Sequence, residues 1–265
     1  MNKRNIIINS TMLFVIATIC QLTLHETGHF IAAICLHSKD VTLYHNYVQH
    51  DLSELSTAAR ITVASAGPLF SLLLGVLFHI ICASYRKRNL RFLFCLFMSA
   101  FGYINFGGYL LVAPFFIGGD TGFVFHELGF PLWLIILLAA GGAAFLFFAM
   151  KKLSRFFVEM AGGEIVGDAI KRKAFITALV EYPLYTGVVI TTLLNLPVVV
   201  FLSLLYPLFS PFTLFWGFGY LLKAPYAAPA DDKGPDRLNT ISPVLIAVLV
   251  LTIICNRLLV FGLHW

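Results

Sequence analysis

The chain has 265 residues, of which 59% are hydrophobic and only 12% are charged, and its mean hydropathy is +0.88. Because soluble domains carry about 25% charged residues, this composition excludes an ordinary soluble domain and indicates a protein embedded in a lipid bilayer. The net charge of +5 requires no nucleic-acid partner, since basic cytoplasmic loops that face anionic lipid account for it.

Seven apolar runs reach the length of about 20 residues that a helix needs to cross a bilayer. They lie near 6–35, 58–83, 91–112, 131–150, 174–195, 197–222 and 241–262. Only the sequence NLP separates the fifth run from the sixth, so a kinked or re-entrant pair is the alternative there. The predicted fold is an all-α, polytopic membrane protein with about seven transmembrane helices.

Three segments between these runs have their own character. Residues 40–51 are rich in Val, Tyr and Thr, which favours a short β-hairpin at the membrane edge, with a plain surface loop as the alternative. Residues 151–173 have basic ends and are expected to form an amphipathic helix on the inner surface or a solvated loop. Residues 224–236 are linker-like but too short to be a domain, so the whole chain is expected to form one membrane domain.

The distribution of basic residues predicts the orientation of the chain. If the seven runs alternate in direction, fifteen of the 18 lysines and arginines lie on one side of the membrane. The other side has only Lys39, Arg60 and Arg257. Because basic loops stay in the cytoplasm, we expect a multi-pass protein of the cytoplasmic (inner) membrane of a bacterium, with its N-terminus inside.

The first apolar run contains the sequence QLTLHETGHFIAAI, with His25, Glu26 and His29 inside it. Residues four apart lie on one face of a helix, so the two histidines can offer their ring nitrogens to one metal ion. Glu26 lies close enough to accept a proton from a water molecule that the metal activates. Polar groups are costly within a membrane, which favours a functional reading. The alternative is that both histidines only hydrogen-bond neighbouring helices.

A catalytic zinc site normally has three protein ligands, so a third ligand is expected elsewhere in the chain. Asp120 in the sequence FFIGGDTG directly follows the third run. The His25-Glu26-x-x-His29 sequence, called the HExxH motif below, is expected near the outer end of the membrane, and so is Asp120. Its neighbouring glycines allow the backbone to bend and direct the carboxylate inward. An ordinary turn aspartate is the alternative. The other candidate ligands are His126, Glu127, His45 and His50.

These residues resemble the site-2 proteases, a family of intramembrane zinc metalloproteases. The sequence His25-Glu26-Thr27-Gly28-His29 is similar to the family's HExxH helix, which frequently has glycine in the fourth place. The order Asn105, Pro114 and Asp120 resembles a later core helix that supplies the third zinc ligand. Gly67 and Pro68 in ASAGPLFS resemble the family's GPxxN sequence, with Ser71 in place of the asparagine.

The resemblance covers about residues 1–125, and it implies a catalytic core of three transmembrane helices, with 126–265 as additional helices of the same domain. It implies a Zn²⁺ ion held by His25, His29 and Asp120, with Glu26 as the general base. The substrate would be a membrane-spanning or membrane-associated protein or peptide.

Two further expectations concern how this substrate is bound. Asn105 is expected to bind the substrate backbone, with a hydrogen bond between helices as the alternative. The segment 40–51 would present the substrate in extended form by strand addition. Because the charge distribution places the motif near the outer leaflet, the chain would be a topologically inverted branch of the family.

A second class of function is a membrane transporter or metal-ion carrier that uses the His, Glu and Asp cluster as a passage site. Such proteins tend to have two related halves with broken helices in corresponding places. The C-terminal half of this chain contains no repeat of the HExxH segment. A third alternative is a catalytically inactive relative that binds membrane partners, against which the intact Glu26 between the histidines argues.

Overall fold

The structure is a computed structural model that describes residues 2–85, 87–223 and 238–265. The linker-like stretch 224–236 and the basic residues Arg86, Lys233 and Arg237 lie outside the described residues. The α-helices in the described residues are α1 (Lys3–Cys35), α2 (Thr57–Ser84), α3 (Leu90–Val112), α4 (Asp120–Glu127), α5 (Leu132–Glu159), α6 (Gly163–Val166), α7 (Ala169–Ile176), α8 (Tyr182–Leu194), α9 (Leu202–Phe209), α10 (Phe218–Lys223) and α11 (Pro243–Leu258). A π-helical turn (Thr177–Glu181) joins α7 to α8, and a 3₁₀ turn (Leu259–Phe261) follows α11. The strands are β1 (Lys39–Leu43), β2 (Val48–Asp51) and β3 (Leu263–His264).

Within the described ranges, six helical stretches are long and apolar enough to cross a membrane. They are α1, α2, α3, α5, the continuous stretch from α7 to α8, and α11 with its 3₁₀ extension. The prediction of a mainly helical, multi-pass membrane protein agrees with this architecture. The helix that corresponds to the predicted run 131–150 is longer than expected. It continues to Glu159 and so includes the first part of the segment 151–173.

The predicted sixth run, 197–222, is not one continuous helix. It consists of α9, a 3₁₀ helix (Ser210–Gly217) and α10. Pro207 and Pro211 lie at this break, and each removes a backbone hydrogen-bond donor that a continuous helix would need. The run therefore has the expected apolar composition but not the length of a single spanning helix.

Helix α1 is the central helix of the protein, and it packs against α2, α3, α8 and α11. Most of its apolar length is buried inside the protein, so the HExxH motif is surrounded by other parts of the chain. Gly28 allows α2 to approach closely, since a Cβ atom there would lie only 2.9 Å from the Ala66 carbonyl oxygen. The motif is thereby held against α2.

Contacts between distant parts of the chain fix which helix ends lie together. At the start of α1, the Asn9 side-chain amide donates to the Leu238 carbonyl oxygen at 3.0 Å, just before α11 begins. At the other end, β3 follows α11 and pairs antiparallel with β1, which follows α1. Helices α1 and α11 therefore run in the same direction.

The three strands form a small antiparallel sheet in the order β2-β1-β3. The hairpin predicted within 40–51 is confirmed, and Leu43 pairs with Val48 across it. The third strand was not predicted. Val41 and Val48 pack against Ala33 of α1 and Val63 of α2, so the sheet covers the end of α1 that carries the HExxH motif.

Candidate metal centre

Three side chains from two distant parts of the sequence meet at the sheet end of α1. The His25 Nε2 atom lies 3.0 Å from the Asp120 Oδ2 atom, and the His29 Nε2 atom lies 3.2 Å from it. The two Nε2 atoms are 3.1 Å apart. Among the described residues, these three form the group of donor atoms whose spacing could hold a metal ion.

The outer nitrogens of both imidazoles already have partners. The His29 Nδ1 atom lies 2.7 Å from the Val63 carbonyl oxygen, which can only accept, so Nδ1 carries the proton. In a neutral ring the His29 Nε2 atom then presents a lone pair toward the centre. The His25 Nδ1 atom lies 3.1 Å from the Ser71 hydroxyl oxygen. Such outer contacts fix the orientation of metal-binding histidines.

The chemistry of this donor set fits a cation. If Nδ1 carries the proton on both rings, two imidazole lone pairs and a carboxylate oxygen converge within about 3 Å, and a positive charge, from a proton or a metal ion, is needed between them. Acceptors this close repel each other in a buried site unless a positive charge separates them. His25, Glu26 and His29 are all less than 10% exposed, so water supplies little compensation. The three residues could therefore hold a divalent metal ion.

Asp120 reaches the histidines because of the local structure that precedes and follows it. It is the first residue of α4, where a carboxylate interacts favourably with the helix dipole. The Thr121 hydroxyl donates to the Tyr109 carbonyl oxygen at 2.6 Å, which ties α4 to α3. A Cβ atom at Gly122 would lie 2.1 Å from the Phe116 carbonyl oxygen, so this position requires glycine for the loop to fold back.

Electrostatics keep the Asp120 carboxylate ionised. Burial alone would favour the neutral acid, but without a metal the positive charge of the His29 imidazole and the N–H groups of His29 and His25 outweigh burial and hold the pKa of Asp120 well below its usual range. An ionised carboxylate is the form that binds a metal.

The metal-binding face opens into a cavity of about 270 Å³. Glu26 lines this cavity together with His29 and Asp120, as the predicted role of a general base requires. Tyr109 forms another wall, and its ring stacks on His25 with the ring centroids 5.0 Å apart. The cavity is also lined by Val48 and His50 of β2, by residues next to β2 in the chain and by residues of α2.

The other candidate ligands lie elsewhere or have other partners. His126 is exposed, and Glu127 forms an ion pair with Arg60 at 3.1 Å. The His45 ring donates from Nε2 to the Asn195 carbonyl oxygen at 3.0 Å. His50 faces the cavity but does not belong to the group of close donor atoms.

Burial lowers the pKa of both sheet-side histidines. For His45, the desolvation of the ring is partly opposed by its bond to Asn195 and is reinforced by the positive charge of Arg257. For His50, burial is the main cause. Both rings are therefore neutral at physiological pH.

Asn105, which was predicted to bind substrate, is buried in α3 but does not line the metal-site cavity. It lines a smaller cavity of about 40 Å³ with Tyr109, Tyr206 and Ser210, and its side-chain amide has no partner there. Tyr109 lines both cavities. Substrate binding by Asn105 stays a prediction.

Four residues of the site were not among the predicted site residues, and two of them had a signal in the sequence. The contact of Ser71 with His25 could have been suspected from the GPxxN-like sequence, in which Ser71 has the position of the asparagine. Gly67 belongs to the same sequence, and a Cβ atom there would lie 2.2 Å from the His29 Nε2 atom. The stacking of Tyr109 and the Val63 carbonyl contact depend on tertiary packing and had no local pattern.

The arrangement therefore offers three protein ligands, a carboxylic acid beside them and a cavity from which a further ligand can approach. Such an open site is the arrangement found in catalytic zinc centres, whereas structural sites are closed by four protein ligands. No family model, curated protein or solved structure matches the chain.

Proposed function

We propose that the protein is an intramembrane zinc metalloprotease that resembles the site-2 proteases and hydrolyses peptide bonds of membrane-spanning or membrane-associated substrates. The observation that carries this proposal is the meeting of His25, His29 and Asp120 within 3.0–3.2 Å, with Glu26 lining the same cavity. Two ligands one helical turn apart, with a glutamate next to the first, are typical of zinc peptidases.

The identity of the metal is part of the proposal. Two histidines and one carboxylate also bind non-haem iron in oxygenases, so the ligand set alone does not select zinc. Glu26 favours hydrolysis, because a carboxylate beside the ligands, lining the same open cavity, serves as a proton acceptor for water. A zinc ion in such a site supplies Lewis acidity, which polarises a carbonyl group and acidifies water.

The residues of the chain have separate roles in this reaction. His25, His29 and Asp120 hold the ion, while Val63 and Ser71 orient the two imidazoles. The Glu26 carboxylate accepts a proton from the attacking water and delivers it to the leaving amine nitrogen as the C–N bond breaks.

We propose seven membrane crossings, with the stretch from α9 to α10 as the additional one. At one end, the Asn195 amide after α8 donates to the Ser203 carbonyl oxygen at 2.8 Å. At the other end, the Leu221 carbonyl oxygen accepts from Arg172 of α7 at 2.7 Å. The stretch from α9 to α10 therefore runs back along the stretch from α7 to α8 and covers the same distance. An odd number of crossings agrees with the pairing of β3 with β1.

The charge distribution supports a cytoplasmic N-terminus in a bacterial inner membrane, with the metal centre toward the outer leaflet. This orientation is tested by single cysteines in a cysteine-free background, labelled in intact cells with a membrane-impermeant maleimide. We expect Ser53→Cys to react from outside and Lys152→Cys to react only after the membrane is permeabilised. The reverse pattern would contradict the orientation.

The small sheet supports a mode of substrate binding. Its order leaves one side of β2 without a strand partner among the described residues, and β2 lines the metal-site cavity. A substrate segment in extended form can pair with this edge, which exposes its carbonyl groups as a helix does not.

The function is tested with a Glu26→Gln variant in proteoliposomes that contain a set of single-span reporter proteins with different transmembrane sequences. We expect the variant to retain zinc, measured by metal analysis, and to lose cleavage by 100-fold or more. New peptide ends are identified by mass spectrometry. Glu181→Gln is the matched control, because Glu181 lies in a membrane helix, bonds to Thr177 and does not line the cavity.

Unchanged cleavage by zinc-loaded Glu26→Gln would contradict the assigned base. Zinc flux into vesicles by the wild-type protein, without new peptide ends, would identify a metal-ion carrier instead.

A further inference from the structure

His50 faces the metal centre from the sheet. Along β2 the side chains alternate, so that Val48 and His50 are partly buried while Gln49 and Asp51 are exposed. Val48 and His50 both line the cavity that contains Glu26. Gln49 and Asp51 therefore lie on the exposed face of the strand, whereas His50 lies on the face toward the cavity.

The His50 ring has an unsatisfied polar atom. Its Nδ1 atom is buried and has no hydrogen-bond partner. A buried polar group without a partner costs free energy, and in a cavity it indicates a position where a ligand supplies the missing hydrogen bond.

Two other residues that line the same cavity have the same property. The Asn46 Oδ1 atom and the Arg60 Nε atom are buried without partners. The Asn46 amide nitrogen donates to the Asn195 and Pro197 carbonyl oxygens, which fixes the direction of its oxygen. Residues that line the cavity thus carry one unpartnered acceptor, one unpartnered N–H donor and an imidazole.

These groups match a peptide main chain more closely than an anion. A main chain in extended form presents alternating N–H donors and carbonyl acceptors. The Arg60 guanidinium is neutralised by Glu127, with Nη2 and Oε1 3.1 Å apart, so it adds no unpaired positive charge that would select a carboxylate. An internal peptide segment therefore fits the cavity better than a free C-terminus.

We propose that His50 is a catalytic residue that donates its N–H group to the carbonyl oxygen of the scissile peptide bond, while Asn46 and Arg60 bind neighbouring main-chain groups. This inference rests on the proposed protease function. As water attacks the carbonyl carbon, the C=O π electrons move to the oxygen, and the His50 N–H group stabilises the negative charge there. The proton from water goes to Glu26 and then to the leaving nitrogen, so His50 keeps its own proton.

The test compares His50→Leu, which removes the donor, with His50→Gln, which retains an N–H donor. His126→Leu is the matched control, because His126 is exposed and does not line the cavity. We expect kcat for reporter cleavage in proteoliposomes to fall about 100-fold in His50→Leu, with KM nearly unchanged, because the donor acts mainly in the transition state. His50→Gln recovers part of the loss, and all three variants keep the zinc content of the wild-type protein.

Binding gives a second readout that needs no turnover. A phosphinic tetrapeptide mimics the tetrahedral state, and the matching tetrapeptide amide mimics the substrate. We expect zinc-loaded His50→Leu to bind the phosphinic peptide about 100-fold more weakly than the wild-type protein does, while its affinity for the amide changes little.

Wild-type kcat in His50→Leu would overturn the assignment of His50 alone. Loss of zinc from His50→Leu would also overturn it, because His50 would then be a ligand. An equal loss of kcat in both variants, together with a lower unfolding midpoint, would overturn it in favour of a packing role. A zinc-loaded wild-type protein that neither cleaves any reporter nor binds the phosphinic peptide would overturn the protease function as well.

Discussion

A methyl group at position 67 should abolish metal binding. In the structure, a Cβ atom on Gly67 would lie 2.2 Å from the His29 Nε2 atom and 2.8 Å from the His25 Nε2 atom. Ordinary van der Waals contact begins near 3.4 Å, so the His29 ring must move by about 1.2 Å to accommodate Gly67→Ala. Metal sites tolerate errors of only about 0.2 Å in ligand distance, so a displaced His29 cannot act as a ligand.

The expected result is a fall in zinc affinity of at least 100-fold, since the loss of an outer contact alone costs about 10–100-fold. The measurement is a competition titration of the detergent-solubilised protein against a chelator of known affinity. Gly141→Ala is the matched control, because it adds the same methyl group to a membrane helix at a position with no heavy atom within 4 Å. Equal zinc affinity in Gly67→Ala and Gly141→Ala would refute the proposed geometry of the centre.

Three further changes test the surroundings of the site. Ser71→Ala removes the partner of His25 Nδ1 and should weaken zinc binding about 10–100-fold in the same titration. Gly28→Ala places a methyl group 2.9 Å from a backbone oxygen of α2, and we expect the free energy of unfolding in denaturant titrations to fall by about 1–3 kcal/mol. His45 has a lowered pKa in the folded protein, so its contribution to stability is complete above its ordinary pKa of about 6.5 and is lost as the pH falls toward the folded value. The thermal unfolding midpoint should therefore fall more between pH 7.5 and 5.5 in the wild-type protein than in His45→Gln.

Each of these predictions has its own control and its own contradicting result. Ser71→Thr keeps the hydroxyl group and should bind zinc more tightly than Ser71→Ala, so equal affinities would contradict an orienting role. For the Gly28 change, Gly141→Ala again supplies the same methyl group in open space, and equal effects would contradict close helix packing. For His45, the wild-type protein and the variant share the other titrating groups, so identical pH profiles would contradict the lowered pKa.

The parts of the site that could be predicted from sequence are those with a local periodicity. His25 and His29 lie four residues apart on one helix, and a helix alone brings such residues to one face. Asp120 was selected by membrane depth, because the ends of two spanning helices on one side must lie at a similar level. The structure brings these three side chains together, although 91 residues separate Asp120 from His29 in the sequence.

The parts that could not be predicted depend on contacts without a local pattern. Strand β3 has only two residues, too few for an alternating pattern, and it exists because β1 offers it a partner. The break between α9 and α10 was hidden from hydropathy, since α9 and the 3₁₀ helix are as apolar as the continuous helices. The prolines there were the available signal for a break.

The buried setting of the site explains why it should bind a cation strongly. In a membrane protein, each polar atom away from water needs a partner, and the helices supply one for the outer nitrogens of His25 and His29. Without a proton on Nε2, the remaining lone pairs have one another and the Asp120 carboxylate as neighbours. Within this low-dielectric environment their repulsion is weakly screened, and a divalent cation converts it into attraction. The same packing that buries the HExxH helix would therefore favour the cation binding that the proposed chemistry requires.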